Sequence, residues 1–180
     1  TKHILFAGDG YSAAWHKEAA RRGLSNLKKT PEALSVRMHD NIVELFDSMD
    51  VMNPIEQKAH YEIQLEQYIQ RVEIESLVLE NMIKNQILPT AFKYQHMLVE
   101  NVRGLKQIYG GSFSKHAPVA METIEEISVL IDAIRSFTTA LAKARTKANS
   151  MSKLDDSAQM YAKNVLPLFD KIREAADGLE

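Results

Sequence analysis

The chain has 180 residues, which is long enough for one domain that folds around its own core without disulfides or metals. It contains no cysteine, so disulfide frameworks, thiol catalysis and cysteine-ligated metal sites are excluded. A formal net charge of -2 argues against a dedicated nucleic-acid-binding protein, and no apolar run approaches the ~20 residues of a membrane-spanning helix. We expect a soluble cytoplasmic protein, and the start at Thr1 and the tail-less end at Glu180 indicate a piece of a longer chain.

Residues 1–52 are predicted to form an N-terminal arm and short helices that cap the rest of the fold. Residues 2–8 have the composition of an extended arm or a short strand. Ser12 and Gly23 are residue types that begin and end helices, and together they predict a helix over residues 13–22.

Two more short helices are predicted before residue 52. Thr30 followed by Pro31 has the pattern of a helix cap and a first helical residue. Asp40 is expected to cap the third short helix. The spacing of its apolar residues predicts one packing face: Ile42, Leu45, Phe46 and Met49.

Residues 53–110 are predicted to form one very long helix around which the chain is organised. Asn53 and Glu56 have the spacing of a capping box, and Gly110 supplies the stop. Pro89 removes one backbone donor inside the helix, and the apolar spacing changes phase there, so we expect a kink. The middle is apolar on more than one side, which predicts partners on both sides: Leu77, Val78, Leu79, Met82, Ile83, Ile87, Leu88 and Phe92.

Two further long helices are predicted after the glycine stop. Pro118 begins the first of them after a polar loop, and Ser152 with Asp155 is expected to cap the second. Their lengths predict that both pack on the second half of the long helix. Both carry regular apolar seams, at Ala120, Ile124, Ile127, Ile131, Ile134, Thr138, Leu141, Arg145 and Ala148, and at Leu154, Ala158, Tyr161, Val165, Leu168, Ile172, Ala175 and Leu179.

The predicted fold class is therefore all-α. We expect an elongated antiparallel bundle of three long helices, the first one kinked, with short N-terminal helices and an extended N-terminal arm. Residues 1–52 form the arm and capping helices, and residues 53–180 form the bundle.

No residue pattern predicts a catalytic, cofactor-binding or metal site. Gly8 and Gly10 lack the third glycine and the strand-helix frame of a dinucleotide fingerprint, so they indicate a turn. Glu56 and His60 are most simply a surface pair. The remaining charged clusters are attributed to a solvated helix flank at Glu62, Glu66, Glu73 and Glu80, and to a helix end at Lys143, Arg145, Lys147 and Lys153.

Three long strings resemble the C-terminal region of type III glutamine synthetases. They are FAGDGYSAAWHKEAARRGLSNLKKTPEAL at residues 6–34, YEIQLEQYIQRVEIESLVLENMIKNQILPTAFKYQ at 61–95, and YAKNVLPLFDKIREAADGLE at 161–180. The resemblance covers most of the chain.

The resemblance implies a cytoplasmic parent enzyme, a ring-built homo-oligomer that ligates ammonia to glutamate with ATP and Mg or Mn. The catalytic residues of that family lie upstream, and none maps onto a position here. The resemblance thus implies a non-catalytic helical domain, inactive alone, that packs on its own catalytic domain or on a neighbouring subunit. Two alternatives from other classes are a stand-alone helical scaffold or signalling module and a di-metal bundle enzyme that would retain iron or manganese.

Overall fold

The computed structural model describes residues 4–180, and all of their regular secondary structure is helical. The α-helices are α1 (Ala13–Arg21), α2 (Thr30–Ser35), α3 (Asp40–Ser48), α4 (Pro54–Met82), α5 (Leu88–Tyr109), α6 (Pro118–Asn149), α7 (Leu154–Met160) and α8 (Leu166–Asp177). The all-α prediction is confirmed. Lys2 and His3 of the predicted arm lie outside the described residues, and no strand occurs in residues 4–180, so the strand alternative is wrong there.

The helix that dominates the sequence is one helical path interrupted by a π-helical turn. The turn at Ile83–Ile87 joins α4 to α5. The backbone N–H of Leu88, the residue before Pro89, reaches back five residues to the carbonyl of Ile83. A proline ring clashes with the carbonyl four residues earlier, and a wider π turn relieves that clash by changing the spacing of the carbonyls. The extra residue also rotates the apolar stripe, which explains the change of phase in the sequence.

A second π turn has the same relation to a second proline. It spans Tyr161–Val165 and joins α7 to α8, and the N–H of Leu166 reaches back to the carbonyl of Tyr161. Pro167 follows at once, as Pro89 follows Leu88. A π turn thus accommodates the proline in both helices. Each turn also contributes one fully buried residue, Ile83 or Tyr161, to the main core.

The two ends of the long helix are capped as expected. The Asn53 side chain accepts hydrogen bonds from the backbone of Ile55 and Glu56, each at 3.0 Å, and the Glu56 carboxylate accepts from the Asn53 N–H at 2.9 Å. Gly110 adopts a positive φ of 57°, a conformation that other residues avoid. The predicted capping box and glycine stop are therefore confirmed. The expected loop after Gly110 is instead a 3₁₀ helix, Gly110–Lys115.

Three of the predicted caps were displaced or wrong. Lys29 and His39 are the caps of α2 and α3, so Thr30 and Asp40 each lie one residue inside their helices. The cap of α7 is Lys153 without a side-chain hydrogen bond. Asp155, expected in a capping box with Ser152, instead accepts a hydrogen bond from the hydroxyl of Tyr61. The Asp155 carboxylate thus binds a residue of the long helix and does not cap α7.

The core lies where the long helix, α6 and the path from α7 to α8 meet. Both predicted seams supply it, with Ile134, Leu141, Val165 and Ile172 completely buried. A second cluster joins Tyr61 and Leu65 of α4 to Ala158 of α7. The prediction that both of the last helices pack on the second half of the long helix was thus wrong for α7, which reaches Tyr61 in the first half.

Candidate functional site

The long helix carries apolar residues on two opposite sides, and only one side is covered. Val72 and Ile83 belong to the buried side, with 3% and 0% of their surface exposed. The opposite side carries Ile74 and Val78, which are 61% and 52% exposed. We call this uncovered set the outer stripe, and it consists of Ile63, Ile74, Leu77, Val78 and Met82. No element in residues 4–180 covers Ile74, Leu77 or Val78, so the partner expected on the second side of the helix does not come from this part of the chain.

Acidic side chains border the outer stripe. Glu62 and Glu66 lie exposed along one edge, and Glu75 lies exposed along the other. Two bases lie on the same helix: Arg71 is exposed four residues before Glu75, and the Lys58 Nζ lies 3.8 Å from the Glu62 carboxylate in an exposed pair. Over its whole length α4 has six glutamates against two bases, so any partner surface is favoured if it is basic.

The glutamates assigned to one solvated flank divide into two groups. Glu62 and Glu66 are exposed, as expected. Glu80 instead forms an ion pair with Arg145 of α6 at 2.8 Å, and the two side chains are only 16% and 14% exposed. Lys84 donates to the other carboxylate oxygen of Glu80 at 2.5 Å. The hydrogen bond from Lys84, and next that from Arg145, lower the pKa of Glu80 below its ordinary value.

A second polar contact between the long helix and α6 lies one turn further on. Asn149 donates from Nδ2 to the Glu73 carboxylate at 2.5 Å and accepts from the Tyr161 hydroxyl at 2.6 Å. Burial, and next the negative charge of Glu73, raise the pKa of Tyr161 to about 12. These contacts use polar groups to fix one helix against another, and neither contains a nucleophile paired with a base.

The outward side of α6 has the opposite charge. Residues 133–154 contain no aspartate or glutamate. Arg145 forms an ion pair with Glu80, whereas Lys143 and Lys147 are exposed on the side away from the buried Leu141. Two shallow depressions beside these lysines are lined mainly by small residues, and Asp132 and Arg135 border the first of them. The small residues are Ser136, Thr139, Ala140, Thr146 and Ser150. We call this the basic face of α6.

An open apolar cleft of about 740 Å³ lies where the end of α8 meets α5. Ile87, Ala91 and Tyr94 form one wall, and Leu179 forms part of the other. The cleft has few charged groups, and its carboxylates come from Asp177 and Glu180 at the end of the chain. This lining supplies no acid-base pair.

Metal ligation has no support in the part of the chain that the structure describes. No group of three or more histidine, aspartate or glutamate side chains comes together in residues 4–180. Glu56, which could have joined His60, accepts from the Asn53 backbone instead. None of the helices in residues 4–180 is long and apolar enough to cross a membrane.

The family model described as glutamine synthetase C-terminal domain matches residues 1–106, which is more than half of the chain. The chain belongs to that family. The match includes the short helices, the outer stripe and most of α5, whereas α6 to α8 lie beyond it. The resemblance to glutamine synthetases in the strings quoted above is confirmed.

Curated glutamine synthetases align with nearly the whole chain. The chain is 35% identical over 178 residues to the glutamine synthetase of Bacteroides fragilis and 29% over 179 residues to the glutamine synthetase of Butyrivibrio fibrisolvens. It is 30% identical over 182 residues to the type-3 glutamine synthetase of Dictyostelium discoideum. These alignments cover 98% to 99% of this chain but 24% to 25% of the relatives. The chain therefore spans about a quarter of the length of the glutamine synthetases it matches.

Sequence reasoning missed the outer stripe as an uncovered surface. Its signal was present, because Leu77, Val78 and Met82 were recognised as a second apolar side. The spacing of apolar residues is the same for an internal core and for an interface with another molecule, so the pattern could not tell the two apart.

Proposed function

We propose that this chain is the non-catalytic C-terminal helical domain of a glutamine synthetase, and that it acts in subunit assembly or regulation. The parent would be a cytoplasmic homo-oligomer that ligates ammonia to glutamate with ATP and Mg or Mn. The domain would contact its own catalytic domain and neighbouring subunits, and the chain alone would be inactive.

One observation supports the assembly role above the others. The outer stripe leaves five large apolar side chains partly exposed on one side of an otherwise well-packed helix. Four of them, Ile74, Leu77, Val78 and Met82, are neighbours on the helix surface, whereas Gln67, Gln70 and Arg71 separate Ile63 from them. Contiguous exposed apolar surface such as these four residues form is typical of sites that contact another protein. The relatives are consistent with such a contact, because the three quarters of each relative outside this segment provide a large surface for it.

We further propose that the helices form an elongated antiparallel bundle with a bend at the first π turn. Contacts between the long helix and α6 support the direction, since Gln95 bonds to Ser128 at 2.7 Å, whereas Glu80 bonds to Arg145. Later residues of α6 therefore contact earlier residues of the long helix, as in an antiparallel pair. In this arrangement residues 53–180 form one unit, and residues 1–52 cap it.

The residues of this segment do not fit ATP or a divalent metal. Of the four glutamates on one flank of α4, Glu73 and Glu80 are engaged by Asn149 and by Arg145. The glycines at 8 and 10 are followed by α1, which has no buried residue and no phosphate-binding loop before it. We therefore derive no catalytic step from this segment and assign the cofactors to the rest of the parent.

The test compares a full-length parent enzyme with a version that ends before this segment. We expect the shortened enzyme to lose its native oligomeric mass in light scattering, and the isolated 180-residue chain to neither bind ATP nor transfer a glutamyl group. An unchanged oligomeric mass together with unchanged regulation would contradict the proposal and favour a stand-alone helical scaffold. Activity in the purified chain would contradict its non-catalytic nature.

A further inference from the structure

The outer stripe of α4 and the basic face of α6 have complementary properties. The stripe presents large apolar side chains between acidic edges, and the basic face presents small residues between lysines. Large side chains on one helix pack closely against small residues on another, and opposite charges at the edges fix the partner and the register. Both faces point away from the core that the two helices share, so one molecule cannot join its own two faces.

We propose that the outer stripe of α4 docks on the basic face of α6 in a second copy of this chain. The inference rests on the proposed role in assembly and names the partner surface. The stripe from Ile63 to Met82 extends for roughly 28 Å, and the basic face from Ser136 to Ser150 for roughly 21 Å, by the rise of an α-helix. The two faces are therefore of comparable length.

Charge disfavours the simpler pairing of two outer stripes around a two-fold axis. Such a contact would bring Glu62, Glu66 and Glu75 of both copies into one interface with only Arg71 of each copy to offset them, and like charges at an interface are repulsive. The basic face offers Lys143 and Lys147 instead, both exposed and without an ion-pair partner in residues 4–180.

A contact between two different faces also has a consequence for the shape of the assembly. Each copy would use its stripe on one neighbour and its basic face on another, so the copies would follow one another head to tail. Such contacts close into a ring when the rotation between neighbours allows it, and otherwise they extend as a filament. A single helix pair buries little surface, so we expect weak association of the isolated chain that chemical crosslinking can detect.

The absence of cysteine makes a directed crosslinking test possible. Val78→Cys is made in one batch of the chain and Lys143→Cys in another, with tags of different mass, and the two are mixed with a short bismaleimide. Both positions are exposed, and thermal unfolding checks that each variant is folded. Arg173→Cys, whose side chain is 81% exposed on α8, replaces Lys143→Cys in the matched control.

We expect crosslinks between the Val78→Cys and Lys143→Cys chains, in clear excess over the control mixture. In a crosslinking pair, the added change Lys147→Glu should lower the yield roughly threefold, since one charge at the rim of the contact is reversed, and Glu62→Lys on the partner should restore it. High salt should lower the yield as well.

Two results would overturn the inference. One is a yield no higher than that of the control, and the other is a preference for crosslinks between two Val78→Cys chains. If either occurs while the shortened parent still loses its oligomeric mass, the assembly role stands and the stripe docks on another surface. If the parent keeps its mass as well, the proposed function fails independently.

Discussion

The long helix carries isoleucines of opposite environment within three turns of each other. Ile83 is completely buried in the main core, which also contains residues of α6 and of the second π turn, whereas Ile74 is 61% exposed in the outer stripe. Both are apolar residues at helical spacing in a sequence of similar composition. An apolar residue at helical spacing is therefore not always buried within its own chain. One face of a helix can pack in the core while the other remains exposed and able to contact a partner.

The largest expected effect separates these two isoleucines directly. Ile83→Ala should lower the free energy of unfolding by about 3 kcal/mol, because it leaves a cavity in the main core. Ile74→Ala, the matched control on the outer stripe, should change it by no more than about 0.5 kcal/mol. Urea unfolding followed by circular dichroism measures both. Equal effects for the two variants would contradict the assigned difference between the faces.

A second comparison concerns ion pairs on the two sides of α4. Arg145→Met leaves the Glu80 carboxylate largely shielded from water with only Lys84 as partner, so we expect a loss of about 2 kcal/mol in the free energy of unfolding. Lys58→Met removes the exposed partner of Glu62 and should cost less than about 0.5 kcal/mol. Chemical denaturation of both variants under the same buffer is the measurement. A harmless Arg145→Met would show that the inner pair has no structural role.

A third comparison uses two asparagines of the same helix. Asn53→Ala removes the side chain that accepts from Ile55 and Glu56, and it should lower the free energy of unfolding by about 1 kcal/mol. Asn81→Ala changes an exposed residue inside the helix and should be neutral or slightly stabilising, since alanine is the better helix former. Thermal denaturation distinguishes them, and a cap variant as stable as the interior variant would contradict the capping assignment.

The smallest expected effect is a dependence of stability on pH. The pKa of Glu80 is lower in the folded chain than its ordinary value because Lys84 and Arg145 donate hydrogen bonds to the carboxylate. Its contribution is therefore fully present above the unfolded-state pKa and is lost as the pH falls through the lower folded-state value. Glu80→Gln should flatten the fall in stability below the ordinary glutamate range. Glu62→Gln, at an exposed position, is the control, and identical acid profiles of the chain and Glu80→Gln would refute this assignment.

Much of the fold could be predicted from local sequence because its signals are strong and local. The capping box at Asn53, the glycine stop at Gly110 and the start of α6 at Pro118 all depend on residues within one turn of the feature. The seams on α6 and on the path from α7 to α8 were predictable for the same reason. The misplaced cap at Asp155 shows the limit, since its carboxylate bonds to Tyr61, a residue far away in sequence.

The π turns and the candidate site were less predictable. Pro89 and Pro167 indicate disturbed helices, but the choice of a π turn over a break depends on packing around Ile83 and Tyr161. The sequence cannot identify the outer stripe as an exposed surface, because the apolar spacing does not show which side of α4 is covered. The cation cluster divided in the same way, because only Arg145 has an acidic partner across the core.

The most direct test of the account measures the oligomeric mass of a full-length parent enzyme with Ile74→Glu and Val78→Glu in its outer stripe. Both residues are exposed, so the substitutions leave the core of this domain in place. We expect a smaller species in light scattering at the same protein concentration, with the helical signal in circular dichroism retained. A parent that keeps its full mass and its full regulation with both charges in the stripe would contradict the claim that this surface serves assembly.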